Sequence, residues 1–296
     1  MTTLAGPPSS IETVVQPNVP LAPLTSLGIG GPARLFAQPT DVDQVADLVH
    51  YAEDHALPWT VLGNGTNVLF PDSGFPGLVI HLGRAFSRTW IETDRLTVQA
   101  GAGLGATMGR LRAHGYYDFD GLIGIPGSIG GALTMNAGSR DMTIADSLER
   151  VTALRSDGQL VTLTPDECAF GYRDSLFRRH DSVVLEGQFR IGEPQRFDPQ
   201  ALMAHRRSVQ PLRQPSPGCV FANPPGSLSA GQMLERAGLK GQRWGGAMIS
   251  PRHANFMVNE WRATADDLQN LIDIARERVY KEFGVTLRLE LVVVSN

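Results

Sequence analysis

The sequence predicts an α+β fold, and three observations carry that prediction. Val42, Val45, Val49, Ala52 and Ala56 recur at spacings of three and four, the apolar stripe of a helix set between two strand-length runs. Between Gly77 and Ile191, apolar runs of strand length follow one another with turn residues between them. Near the C-terminus a stripe of Leu268, Leu271, Ile272, Ala275, Val279 and Phe283 gives way to the alternating run VTLRLELVVV.

The elements follow in order. Residues 1–20, MTTLAGPPSSIETVVQPNVP, are rich in Pro, Ser and Thr and read as a mobile tail. LTSLGIGGPARLFAQP is a glycine-rich turn and a short strand. Thr40 is the expected cap of the helix DVDQVADLVHYAEDHA. PWTVLG is a strand that opens into the loop GNGTN. GLVIHL, RLTVQAG, the two arms of VTALRSDGQLVTL and SVVLEGQFRI are strands, and TMGRLRAHG is a short helix closed by Gly115. PQRFDPQ reads as a linker and FDPQALMAHRRSVQ as a helix. SAGQMLERAG is a helix capped by Ser229 and ended by Gly238. Thr264 and Asp267 have capping-box spacing at the start of the long helix, and Gly284 ends it. On the closing strand Leu287, Leu289 and Leu291 face one way, Arg288 and Glu290 the other.

A chain of 296 residues with 42% hydrophobic content suggests roughly two domains. A net charge of −4 argues against a sequence-independent nucleic-acid partner, although the basic stretch Phe177–His180 leaves a local phosphate contact open. No run of about 20 apolar residues exists to cross a membrane, and the first residues lack a secretory pattern. Two distant cysteines do not make a disulfide framework, which fits a cytoplasmic protein. No metal is expected.

The glycines carry more information. GAGLGA, Gly101–Ala106, follows a strand and opens a helix in the form G-x-G-x-x-A, but the region about 20 residues on lacks the acidic strand end of a dinucleotide fingerprint. A tight turn explains it as well. LGNGTN, Leu62–Asn67, ends a strand, and its backbone N–H groups together with Thr66 and Asn67 suit an anion such as a pyrophosphate. In GIPGSIGGALTMNAG, Gly124–Gly138, the glycines around Ser128 and Asn136 leave bare backbone for a flat or phosphorylated ligand.

In this order, the second and third loops resemble the flavin-binding half of the UDP-N-acetylenolpyruvoylglucosamine reductase (MurB) family, whose pattern is close to LGxGSN…GIPGSxGGAxxMNAG. The resemblance continues through FGYRDSLF, GCVFANP, SAGQMLERAGLKG, GGAMISPRHANFMVN and FGVTLRLELVVV, and spans roughly Leu24 to Val294. It implies a two-subdomain FAD-binding region of the p-cresol methylhydroxylase type over 21–195 and a C-terminal α+β substrate domain over 196–284. Residues 285–296 would be a terminal strand returning to the FAD-binding region. It further implies NADPH as hydride donor, a sugar-nucleotide substrate whose enolpyruvyl ether is reduced to a lactyl ether, and a cytosolic step of peptidoglycan-precursor synthesis. A monomer is expected. No His lies in Gly63–Asn67, so the FAD is expected to be noncovalent.

Residue by residue, the resemblance implies that Gly63, Asn64, Gly65, Thr66, Asn67, Pro126, Gly127, Ser128, Gly130, Gly131, Asn136 and Gly138 hold the cofactor. Tyr172, Asn223 and Lys240 would contact substrate. Arg173 would grip the substrate carboxylate, since a planar bidentate donor suits it, and Glu290 would assist in stabilising the enolate. Cys219 stands where the family usually has Ser, the proton donor. A thiol, with an ordinary pKa of about 8.5, is mostly protonated at neutral pH and is a far stronger acid than an alcohol. Two further departures are Ala222, where Lys is common, and Ser139–Arg140 in NAGSRD.

Without the resemblance these residues have plainer readings. Arg173 beside Asp174 reads as a surface ion pair, Glu290 with Arg288 as a solvated pair, and Cys219 as a small packed side chain. Cys168 is read as structural. A cysteine hydrolase pairing Cys219 with His205 or His253, a flavin protein without turnover and a flavin oxidase are the rival activities; only the last two need the glycine loops.

Overall fold

The computed structural model describes residues 8–139, 141–179 and 181–294. The first seven residues of the expected tail, Arg140 and His180 lie outside the described residues. In chain order the first elements are α1 (Ser9–Glu12), β1 (Val15–Pro20), β2 (Pro32–Ala37), α2 (Val42–Asp54), β3 (Trp59–Leu62), β4 (Val68–Leu69) and β5 (Phe75–His81). Next come β6 (Thr89–Ile91), β7 (Arg95–Gln99), α3 (Leu104–Ala113), α4 (Ile129–Thr134), β8 (Leu148–Arg155), β9 (Leu160–Leu163) and β10 (Ser182–Arg190). The chain continues with α5 (Pro199–Val209), α6 (Ala230–Arg236), β11 (Arg243–Trp244), β12 (Ala247–Ile249), β13 (Met257–Asn259), α7 (Ala265–Phe283) and β14 (Val292–Val293).

Two compact units divide these elements. The first takes the stretch up to Val19, Ala33–Asn64 and Pro76–Met203; the second takes Pro20–Pro32, Gly65–Phe75 and the chain from Ala204 onward. This division differs from the linear boundaries at 195 and 285. The reason lies in pairing: β14 runs parallel to β4, with Val292 opposite Val68 and Val293 opposite Leu69. Asp72 also accepts from the N–H groups of Ala265 and Asp266 at the start of α7.

The first unit holds a sheet of order β1-β2-β5-β3 and an antiparallel sheet of order β6-β7-β10-β8-β9. In the first sheet β3 and β5 are parallel, as a strand–helix–strand unit requires. Its helix α2 buries Val45, Val49 and Ala52 of the stripe read from the sequence, together with Leu48 and Tyr51; Val42 is exposed, and Ala56 lies exposed beyond the helix with φ +48. The cap is Asp41 rather than Thr40: the Asp41 carboxylate accepts from Gln44 N–H, while Thr40 N–H donates to the Gln44 side chain.

The expected tail is ordered where it is described. Ile11 is fully buried, Gln38 N–H donates to the Val14 carbonyl, and β1 forms the edge of its sheet. β1 carries Pro17 and Pro20, and an edge strand is where a sheet tolerates proline. Composition alone suggested a tail because the few apolar residues that anchor it are separated by Pro and Ser.

The second unit packs α6 and α7 with the three-stranded sheet β11-β12-β13. Thr264 and Asp267 form the expected capping box, and Gly284 adopts φ +67 at the end of α7. Ser229 caps α6 together with Gln232. The closing run is less regular than a continuous strand. Leu287 and Leu291 are buried, but only Val292–Val293 joins a ladder, and Leu289 makes a single bridge with Phe221.

Candidate active site

In the first unit the glycine loops interlock. Leu104 N–H donates to the Gly127 carbonyl, Ile129 N–H to Ala102 and Gly130 N–H to Ala100 at 2.8–2.9 Å. Gly103 also bridges Ser128. Thus Gly101–Ala106, which the sequence left as a plain turn, forms the wall against which Pro126–Gly131 is laid. Gly130 must lack a side chain, since a Cβ there would lie 2.9 Å from that of Ala100. A Cβ at Gly63 would fall on the Ser128 Oγ. That oxygen caps α4 by accepting from Gly131 N–H at 3.2 Å.

Asn136 is buried with φ +43, a conformation Asn tolerates better than most residues. Its Nδ2 donates to the Gly171 carbonyl at 2.9 Å, and its Oδ1 is buried with no hydrogen-bond partner among the described residues. Arg173, with φ +55, occupies the tight turn Gly171–Asp174. Its Nη2 donates to the Gly138 carbonyl at 2.6 Å and its Nη1 to Asn136 at 3.4 Å. The Tyr172 ring lies 5.3 Å from the guanidinium carbon. Arg178 donates to the Arg173 carbonyl at 3.0 Å and lies 3.9 Å from Asp174. With Ser175 Oγ donating to the Thr134 carbonyl at 2.7 Å, four hydrogen bonds tie the GYRDS turn to the third glycine loop, a connection that spacing does not reveal. Cys168 is fully buried, and desolvation, with Glu167 nearby, pushes its thiol up to about 11. It is an inert core thiol.

In the second unit Gly65 takes φ +60, and a Cβ there would press on the Leu24–Thr25 backbone. Asn67 Nδ2 donates to the Glu290 carbonyl at 3.1 Å, and Val292 N–H returns to the Asn67 carbonyl. The segment Cys219–Ala222 runs between two others. On one side Glu290 N–H donates to the Val220 carbonyl and Ala222 N–H to Arg288, both at 2.9 Å. On the other, Cys219 bridges Phe256. Cys219 and Glu290, both half-buried, therefore lie on neighbouring extended segments, with Glu290 N–H bonded to the carbonyl of the residue after Cys219.

The substrate candidates of this unit have local partners. The Asn223 side chain accepts from Ala230 N–H, and Lys240 reaches Glu235 at 2.6 Å. Burial and then the Lys240 charge lower the pKa of His253, which accepts from Asn255 N–H through Nδ1. Ala222 is buried, so the place where the family has Lys is filled here by core packing. The expected sites thus divide, with Gly63, Asn64, the residues from Pro126 to Gly138, Tyr172 and Arg173 in the first unit. Gly65, Thr66, Asn67, Cys219, Asn223, Lys240 and Glu290 belong to the second.

The residues fit a flavin dinucleotide. The interlocked loops present backbone without side chains, and the orphaned Asn136 oxygen lies among them, an acceptor that a ligand's N–H or hydroxyl would satisfy. Among the described residues no helix is long and apolar enough to cross a membrane, and no three His, Cys, Asp or Glu are grouped to hold a metal.

The chain matches the family model of an FAD binding domain over residues 33–164 and that of the UDP-N-acetylenolpyruvoylglucosamine reductase C-terminal domain over 210–294. It is 42% identical to the UDP-N-acetylenolpyruvoylglucosamine reductase of Heliobacterium modesticaldum over 94% of this chain and 90% of that one. The Gloeobacter violaceus enzyme of that name is 38% identical over 94% and 95% of the two chains. The crystal structure of MurB from Thermus caldophilus matches with a TM-score of 0.81 at 36% identity, covering 95% of this chain and 99% of that chain. The expected α+β fold and family resemblance are both borne out. With glycine loops that fit a flavin, and with identity sustained along nearly its whole length, the chain belongs to the UDP-N-acetylenolpyruvoylglucosamine reductase family of FAD-binding oxidoreductases.

Proposed function

We propose that the protein uses NADPH to reduce UDP-N-acetylglucosamine enolpyruvate to UDP-N-acetylmuramate, a step of peptidoglycan-precursor synthesis, as a cytoplasmic monomer. The cofactor would be held noncovalently by Gly63, Asn64, Gly65, Thr66, Asn67, Pro126, Gly127, Ser128, Gly130, Gly131, Asn136 and Gly138. When bound, it relays a hydride from NADPH to the vinyl carbon of the substrate. The chain's own residues do the rest. Arg173 binds the substrate carboxylate with its planar guanidinium and stabilises the negative charge that spreads onto it as an enolate. The thiol of Cys219 gives its proton to the carbon α to that carboxylate, forming the C–H bond as the S–H bond breaks, and the thiolate regains a proton from solvent. Glu290 supports the same charge build-up, and Tyr172, Asn223 and Lys240 orient the sugar nucleotide.

The observation that supports this reading is the hydrogen bond from Glu290 N–H to Val220, which brings the segments carrying Cys219 and Glu290 side by side, with Asn67 bonded to the Glu290 carbonyl. The test is anaerobic and follows the flavin absorbance. Cys219→Ala should retain FAD and its bleaching by NADPH but lose reoxidation by the enolpyruvyl sugar nucleotide, by about 10²–10⁴-fold for a general acid. Cys219→Ser should keep much of it. Normal turnover in the Ala variant would remove Cys219 from the mechanism, and a protein that takes up no FAD would remove the proposal.

A further inference from the structure

The segment that carries Cys219 is held from one side by a side chain that imitates backbone. Asn255 is 3% exposed. Its own carbonyl accepts from Val220 N–H at 2.9 Å. Its amide then does for Phe221 what a further residue of strand would do: Oδ1 accepts from Phe221 N–H at 2.9 Å and Nδ2 donates to the Phe221 carbonyl at 2.8 Å. Val220 and Phe221 are themselves buried, so these groups have no water to fall back on. A tight turn presents the amide, with Asn255 N–H donating to His253 Nδ1 and Phe256 N–H to the His253 carbonyl.

The opposite edge of the same segment is bound by Arg288–Leu291, including Glu290 N–H to the Val220 carbonyl. The two residues after Cys219 are therefore clamped from both sides. The primary amide offers a donor and an acceptor in one plane, with neither depending on its ionisation. A carboxylate would set a second oxygen against the Phe221 carbonyl, and a hydroxyl is too short to serve both groups.

We infer that Asn255 is the positioning residue for proton donation: its amide fixes the height of Cys219 against Glu290 and thereby aims the thiol. The inference rests on the proposed role of Cys219 as the acid. It concerns proton delivery, because the hydrogen bonds of Asn255 itself go to Val220, Phe221 and its own turn, while the cofactor-loop residue Asn67 is tied to the opposite edge, at the Glu290 carbonyl. Misplacing a reacting group by 1 Å costs on the order of 10²-fold in rate, so a loosened clamp should be visible as a loss of proton delivery.

The experiment compares Asn255→Asp, Asn255→Ser, Cys219→Ala and the double variant Asn255→Asp/Cys219→Ala, each as flavin-loaded full-length protein. In the Asp variant, flavin reduction by NADPH should stay within about twofold of the parent. Reoxidation by the enolpyruvyl sugar nucleotide should fall by at least about tenfold, with a rise in the solvent deuterium isotope effect and little change in KM for that substrate. In the Cys219→Ala background the same change should add almost nothing, since the two residues act as one unit. Asn255→Ser provides the same readings if the Asp variant does not fold. Equal losses in both half-reactions, additive losses in the double variant, undiminished reoxidation, or failure of both single variants to yield flavin-loaded protein would each overturn the inference. If instead Cys219→Ala turns over normally, it is the assignment of the acid that fails.

Discussion

Replacing Gly63 by Ala isolates a single atomic conflict between two of the glycine loops. The new methyl would fall on the Ser128 Oγ, while the Ser128 Cβ, at 3.3 Å, has only to give by a few tenths of an ångström. Gly63 has no left-handed backbone angle, so its φ does not oppose the change. To escape, the hydroxyl must rotate away from Gly131 N–H and give up the cap of α4. Losing that cap costs about 1 kcal/mol, and the strain of overpacking adds about 1–3 kcal/mol. Ser128→Ala alone should cost about 1 kcal/mol. With the oxygen gone, adding the methyl at position 63 should cost well under its solitary value, leaving a coupling of about 1–3 kcal/mol between the two sites. Equilibrium urea unfolding of the flavin-free single and double variants, read as midpoint shifts at constant slope, measures this. If Gly63→Ala costs as much in the Ser128→Ala background as in the parent, the conflict with Oγ is not what demands glycine at 63.

Three other outcomes are expected. Asp120 is nearly fully buried and pairs with Arg112 Nε at 2.7 Å, so Asp120→Ala leaves that guanidinium without its counter-charge and should cost about 3 kcal/mol by urea unfolding. A cost below about 1 kcal/mol would show that the pair contributes little. Gly284→Ala meets open space but must adopt φ +67, so about 1 kcal/mol should be lost from backbone conformation alone. Burial lowers the pKa of His253 and of His81 below 6.5 in the folded state. Their contribution to stability is then complete above that value and declines as pH falls through it towards the folded values, because the unfolded chain takes up protons first. Melting temperature should drop over that acid range, and His253→Gln should flatten part of the slope; an unchanged slope would refute the assignment.

The helix ends of α6 and α7 were legible because each signal acts within four residues: Ser229 with Gln232, Thr264 with Asp267, and Gly284 just past Phe283. Thr40 and Asp41 show the limit of such reading. Both are good caps, and the choice between them rests on where the Gln44 side chain goes. All three glycine clusters stood out in the sequence, but the part that Gly101–Ala106 plays did not. Its role depends on hydrogen bonds to residues more than twenty positions away, which leave no trace in local spacing. Asn255 was overlooked for the same reason. It lies in a motif matched by resemblance, yet its partner is 34 residues distant. The early strand β1 was hidden by its prolines, which an edge position permits.

The bond between Asn67 and Glu290 joins residues 223 positions apart. During synthesis at about 5–20 residues per second, the loop at Asn67 leaves the ribosome roughly 10–45 s before the strand that will hold it. Through that interval β4 has no edge to pair with, and the second unit still waits for the longest of its three segments, from Ala204 onward. A nascent chain stalled before residue 290 should therefore show protease protection over the antiparallel sheet of the first unit but not over residues 65–75, and protection there should arrive only on release.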